Sequence, residues 1–204
     1  IRGGFLPPGT LPRRMWAGSR LTFPAAIAFD APLERTSTIA SVERKSGRSG
    51  ELVLVTVRHE IRANGVLAVT DEHDIVYRQA PQPGTPPAPP GEPDPARAAD
   101  FRRTVTPDPV LLFRYSALTF NGHRIHYDRS YVTGVEGYPG LIVHGPLIAT
   151  LLVDLLRRNA PHATVRRFAF KAMRPIFDIH PFSVCGRRHG DHRIALWARD
   201  HEGF

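Results

Sequence analysis

Residues 51–61 alternate Val53, Val55, Val57, His59 and Ile61 against Leu52, Leu54, Thr56 and Arg58, the two-residue period of a β-strand. Apolar residues stand on both faces at its start, which predicts a central strand. Asn64-Gly65 follows, a pair suited to two-residue hairpins, and residues 66–77 are expected to return as the partner strand. Earlier, residues 16–23 and 35–45 also read as strands, the second stopped by a turn at Ser46-Gly47-Arg48-Ser49-Gly50. The first half is therefore expected to be an antiparallel sheet.

The pattern breaks at residues 79–96, where QAPQPGTPPAPPGEPDPA carries eight prolines and no aromatic residue. Proline removes donors and blocks both helix and sheet interiors, so this stretch reads as a semi-rigid spacer. Beyond it, residues 109–119 read as a strand and residues 128–133 as a short amphipathic turn. Leu147, Ile148, Leu151, Leu152, Leu155 and Leu156 then recur at helical spacing after Gly145-Pro146. This helix is expected to be almost wholly buried and to stop at Asn159-Ala160-Pro161. Strands are expected again at 164–173, 182–187 and 193–199. One buried helix followed by antiparallel strands is an α+β pattern in which the sheet wraps the helix. The expected organisation is residues 1–78, a linker at 79–99, and residues 100–204.

Charge and composition narrow the partners. The net charge is +8, and Lys45 and Lys171 are the only lysines among 27 basic residues. These residues are interspersed with Asp and Glu, so a nucleic-acid tail is not indicated, and arginine forks suit an anionic small molecule equally well. The single Cys185 excludes a disulfide within the chain and points to a reducing compartment. No apolar run approaches a membrane span, and the protein is expected to be cytoplasmic. The start at Ile1 and the turn-like end suggest part of a longer chain.

Candidate chemistry concentrates in residues 113–146, where Asn121, His123, His126, Asp128 and His144 lie among Gly122, Gly137, Gly140 and Gly145. Histidine is the side chain that exchanges protons near neutral pH. In a loop it is more often a hydrogen-bonded structural support than a catalyst, and His123 and His144 are expected to be such supports. His123, His126 and Asp128 match no standard zinc spacing, and Asp128 is expected to cap the helical turn that follows.

The blocks FRYSALTFNGHRIHYD and EGYPGLIVHGPLIATLL resemble the MaoC-like hotdog enzymes, in the branch of hydroxyacyl-thioester dehydratase type 2 and mesaconyl-CoA hydratase. LPRRMWAGSRLTF, RKSGRSG, LVTVRHE and DIVYR resemble the first hotdog of the same branch. The resemblance implies a double hotdog whose first helix is missing from this chain. It also implies a hydro-lyase that hydrates an enoyl-thioester or dehydrates a 3-hydroxyacyl-thioester, with coenzyme A as part of the substrate. No metal or redox cofactor, nucleic acid or membrane is implied, and a homodimer is. The wider group pairs an Asp with a His five residues on; here those positions are Asn121 and His126, followed by His144-Gly145. His126 is thus the expected acid/base and Asn121 an orienting group. Gly145 is expected in the oxyanion site, with His144, Arg114 and Arg48 as further substrate-binding candidates. The alternative is a catalytically inactive acyl-CoA-binding hotdog, disabled by Asn in place of Asp.

Overall fold

Asn64 and Gly65 take φ values of 50° and 78°, the left-handed pair that a two-residue hairpin needs to match strand twist. The structure is a computed structural model that describes residues 5–7, 11–47, 50–79, 98–190 and 192–204. Its strands are β1 (Arg13–Thr22), β2 (Leu33–Gly47), β3 (Gly50–Ala63), β4 (Val66–Arg78), β5 (Phe101–Val105), β6 (Arg167–Lys171), β7 (Phe182–His189) and β8 (Arg193–Arg199). The helices are α1 (Pro109–Leu118), α2 (Arg129–Gly134) and α3 (Gly145–Asn159), with a single 3-10 turn at Arg124–His126. They form two compact units, one joining the described residues before 80 to Thr164–Met173, the other joining residues 98–163 to Arg174–Phe204.

The first unit is an antiparallel sheet in the order β2-β3-β4-β1-β6. The alternation read in residues 51–61 sorts its two faces. Val55, Val57, Ile75 and Tyr77 form a buried cluster with Leu11 on one face. On the other, Arg20 joins Asp74 and Glu72, Arg58 joins Glu72, and Thr56 donates to Asp74 at 2.8 Å. These pairs are half in water and add little stability each. Gly18 sits at a register shift in β1, where a Cβ would stand 2.4 Å from the Phe170 carbonyl oxygen of β6. β6 reaches this sheet although it follows α3 in the chain. Most of the proposed 79–99 linker lies outside the described residues, and the described residues of this unit contain no helix.

The second unit has the sheet β5-β7-β8, with α3 packed against it. Leu147, Leu152 and Leu155 meet Phe101, Phe182 and Val184 in its core, and Cys185 is buried in β7. α3 is less buried than its leucines suggest. A three-stranded sheet covers one side only, so Thr150, Arg157 and Arg158 face solvent and Asp154 bonds Arg103 and Arg158 along the outside.

Residues 109–118 are a helix, not the expected strand. Asp108 caps it, its carboxylate accepting from Leu111 N–H at 2.9 Å, and Pro109 takes the first turn where its missing N–H costs nothing. Leu112 and Ser116, four residues apart, are buried on one side. The start signal outweighed a short apolar run, which by itself does not distinguish helix from strand. The helix ends with Phe120 at φ 52° and Asn121 N–H returning to the Ser116 carbonyl at 2.9 Å, which delivers Asn121 into the loop.

Candidate active site

The local sequence builds the site from two short segments pinned together. The 3-10 turn ends at His126, and its Ile125 carbonyl accepts from Ile142 N–H at 3.0 Å. In return His126 Nδ1–H donates to the Ile142 carbonyl at 2.7 Å. The segment 141–143 is held from its other side. Val143 N–H donates to Ile176 at 2.8 Å, Asp178 N–H to Leu141 at 2.9 Å, and Leu141 N–H to the Asp178 carboxylate at 2.8 Å. Arg129 pairs with that carboxylate. Both Asp178 oxygens are thereby used.

His144 occupies the N-cap position of α3 without a side-chain capping bond, and Gly145 is the first helical residue. The His144 ring is 0% exposed and His126 only 8%. Their rings stack at 3.7 Å with planes 17° apart. Ser116 Oγ lies 2.8 Å from His144 Nε2, and Tyr115 meets the same ring edge-on at 4.9 Å. His144 Nδ1 is buried and has no hydrogen-bond partner among the described residues. His123 stands edge-on to His126 at 5.7 Å.

Burial sets the charge state of both rings. It pushes His126 down to about 4, against the upward pull of its bond to Ile142, with His123 lowering it further. Burial and the neighbouring His126 push His144 down to about 3. Both are neutral at pH 7. With its proton on Nδ1, His126 carries a lone pair on Nε2, and among the described residues nothing bonds that atom.

The same shifts predict acid lability. Unfolded histidines bind a proton below about 6.5, whereas these folded rings resist it down to about 4 and about 3. Stability is therefore fully present above pH 6.5 and falls as pH drops through the window to 4 and then 3, by up to about 1.4 kcal/mol per pH unit per ring. Urea midpoints measured at pH 7.5, 6, 5 and 4.5 check it; a flat series contradicts the buried neutral pair.

Asn121 accepts from His123 N–H at 3.1 Å through Oδ1, which assigns its amide. Nδ2 then remains a donor with no partner among the described residues. Gly145 lies at the start of α3, where first-turn N–H groups have no helical acceptor and the dipole favours negative charge. Arg114 is exposed on α1, and Arg48 lies outside the described residues. Asp128 caps α2 by accepting from Tyr131 N–H at 3.0 Å and also holds Arg124. Among the described residues no three His, Cys, Asp or Glu side chains are grouped to hold a metal. The structure thus brings His126, His144 and Gly145 together and links Asn121 to them through His123. Ser116, Ile142 and Asp178 join the site without any sequence motif of their own. Only Ser116 had a usable signal, as an inward position once 109–118 is read as a helix.

The sequence profile of the hydroxyacyl-thioester dehydratase type 2 family matches residues 2–178. A relative from Chloroflexus aurantiacus described as mesaconyl-C(4)-CoA hydratase is 50% identical over 204 residues, 99% of this chain and 71% of that protein. The mitochondrial hydroxyacyl-thioester dehydratase type 2 of Schizosaccharomyces pombe is 40% identical over 82 residues, 39% of this chain and 27% of its own. Among solved structures, HtdX from Mycobacterium tuberculosis superposes with a TM-score of 0.70 at 17% identity, covering 94% of this chain and 73% of that one. A MaoC-like dehydratase from Phytophthora capsici gives 0.71 at 15% identity, covering 97% and 71%. At those identities the structural likeness speaks for the fold, an α+β hotdog.

Proposed function

The chain belongs to the hydroxyacyl-thioester dehydratase type 2 family, and on that premise we propose that its buried imidazole site performs the water chemistry of a hydro-lyase acting on acyl-thioesters. The observation that carries the residue assignment is His126, neutral, anchored through Nδ1–H on Ile142, with Nε2 unbonded. In hydration, Nε2 takes a proton from water as its oxygen bonds to the β-carbon of the enoyl group. Electron density moves to the thioester oxygen, and the imidazolium then returns the proton to the α-carbon. One ring thus serves as base and then acid, which suits a site where Asn121 cannot titrate. A base held near 4 is weak by itself. The enolate-like charge that develops beside it raises its proton affinity during the step.

That charge is met by the start of α3, where the Gly145 N–H and the helix dipole favour an oxyanion. Asn121 Nδ2 is the donor assigned to hold the attacking water or the thioester. Arg114 and Arg48 remain candidates for the coenzyme A phosphates or a substrate carboxylate. The reaction requires no group beyond the substrate's own coenzyme A. The 50% identical relative, a mesaconyl-C(4)-CoA hydratase, favours a short dicarboxylic acyl-CoA over a fatty-acyl thioester. We also assign a cytoplasmic homodimer, each chain carrying hotdog halves at 1–78 and 100–204 joined through 79–99, with Thr164–Met173 lent by the second half to the sheet of the first. Among the described residues no helix is long and apolar enough to cross a membrane.

The test is loss of enoyl-CoA absorbance with mesaconyl-CoA and crotonyl-CoA. Turnover is expected, fastest on mesaconyl-CoA. Binding of both thioesters with no turnover favours the inactive acyl-CoA-binding protein instead.

A further inference from the structure

Resting on the reading of His126 as the proton carrier, we propose that Ser116 and His144 are a positioning pair: the Ser116 hydroxyl anchors the His144 ring, and that ring, flat against His126, sets the plane in which Nε2 meets the thioester. The geometry leaves His144 no direct route to substrate. It is fully enclosed, and one face lies on His126 at 3.7 Å. Among the described residues the ring's only hydrogen bond is the 2.8 Å contact with Ser116, since Nδ1 has no partner there.

The arrangement also works as a chain of constraints. Asn121 N–H bonds the Ser116 carbonyl, Ser116 Oγ bonds His144, His144 stacks on His126, and His126 is tied to Ile142. The catalytic ring is thus fixed at one edge by a hydrogen bond and on one face by a neutral ring. Neutrality of the platform matters, because a charged His144 would push the proton off its neighbour and could not be solvated. The titratable groups facing the pair are His123 from the loop before it and Tyr115 from α1. The Arg129–Asp178 pair closes the far side of segment 141–143.

Ser116→Ala deletes one oxygen and places the best helix former inside α1, which offsets part of the cost of the lost bond. Without its sole partner, the His144 ring turns toward water or admits it, and the stack loosens. The expected result in the full chain is a fall in kcat of about tenfold, with KM changed less than about twofold. The acid limb of kcat and the NMR titration of His126, starting from about 4, should both move up by about one pH unit toward the ordinary histidine value. Ser116→Thr keeps the hydroxyl and should recover kcat to within about threefold of wild type. An unchanged His126 titration together with unchanged kcat in Ser116→Ala overturns the proposal. So does equal loss in Ala and Thr variants with the titration unmoved, since that is packing damage. His126→Asn separates the two readings. If it keeps wild-type turnover, the base assignment fails, while the titration of His126 in Ser116→Ala still decides the positioning pair.

Discussion

Replacing His126 with alanine should lower kcat for hydration by about a hundredfold to ten-thousandfold, the usual contribution of a positioned acid/base group. KM should change by only a few-fold, because the imidazole acts on the water and the α-carbon and not on coenzyme A. Two physical facts make the loss this large. The site offers no second titratable group in the Asn121 position, so no neighbouring carboxylate replaces the missing ring. The ring is also already oriented, its Nδ1–H fixed to Ile142 at 2.7 Å, and an exchanging water in its place would not be. His126→Asn refines the test, since an amide N–H can retain the bond to Ile142 while offering no basic lone pair. Equal losses in the two variants assign the effect to proton transfer. Wild-type rates in either one place the chemistry on a different residue.

The second large effect is expected at Asp178, whose carboxylate is held by Leu141 N–H and Arg129. Its side chain is only 1% exposed, and it accepts from Leu141 N–H at 2.8 Å. Asp178→Ala leaves that buried N–H unpaired, at a cost of about 2–3 kcal/mol for a lost charge-assisted bond. Arg129 contributes little to this figure, because half of its side chain stays in water and it solvates readily. Asp178→Asn keeps an acceptor for Leu141 and should cost under about 1 kcal/mol. Urea midpoints measure the stabilities, and hydrogen exchange at Ile142 and Val143 should accelerate in the alanine variant alone. Turnover should fall with it, because segment 141–143 carries the carbonyl that orients His126. Equal midpoints for the two variants would show that the ion pair, not the Leu141 bond, is what matters.

The strands were legible because their causes are local. Alternation in residues 51–61 and the Asn64-Gly65 turn each specify their own conformation, and β3 and β4 appear where those signals place them. α3 was legible for the same reason, through Gly145-Pro146 and its leucines. Residues 109–118 read as a strand because Leu111, Leu112 and Phe113 form a run compatible with either period, while the deciding cue, Asp108 ahead of Pro109, is a capping interaction. The degree of burial of α3 was overestimated because leucine spacing reports an apolar stripe and not how many strands cover it.

The candidate site divides along the same line. The motif Asn121 to His126 and the pair His144-Gly145 are sequence features, and the chain alone determined which residue types were available for proton transfer and which were not. It also determined that Asn121 could orient but never titrate. Tertiary structure alone decided what those residues are to one another. The stack of His126 on His144, the burial that keeps both rings neutral, the Ser116 contact and the Asp178 brace join positions 18 to 37 residues apart. No local period encodes them. Stacking distance, desolvation and the partner of a buried nitrogen depend on which surfaces meet after the helices and strands have packed, and that is settled by the whole core of the unit.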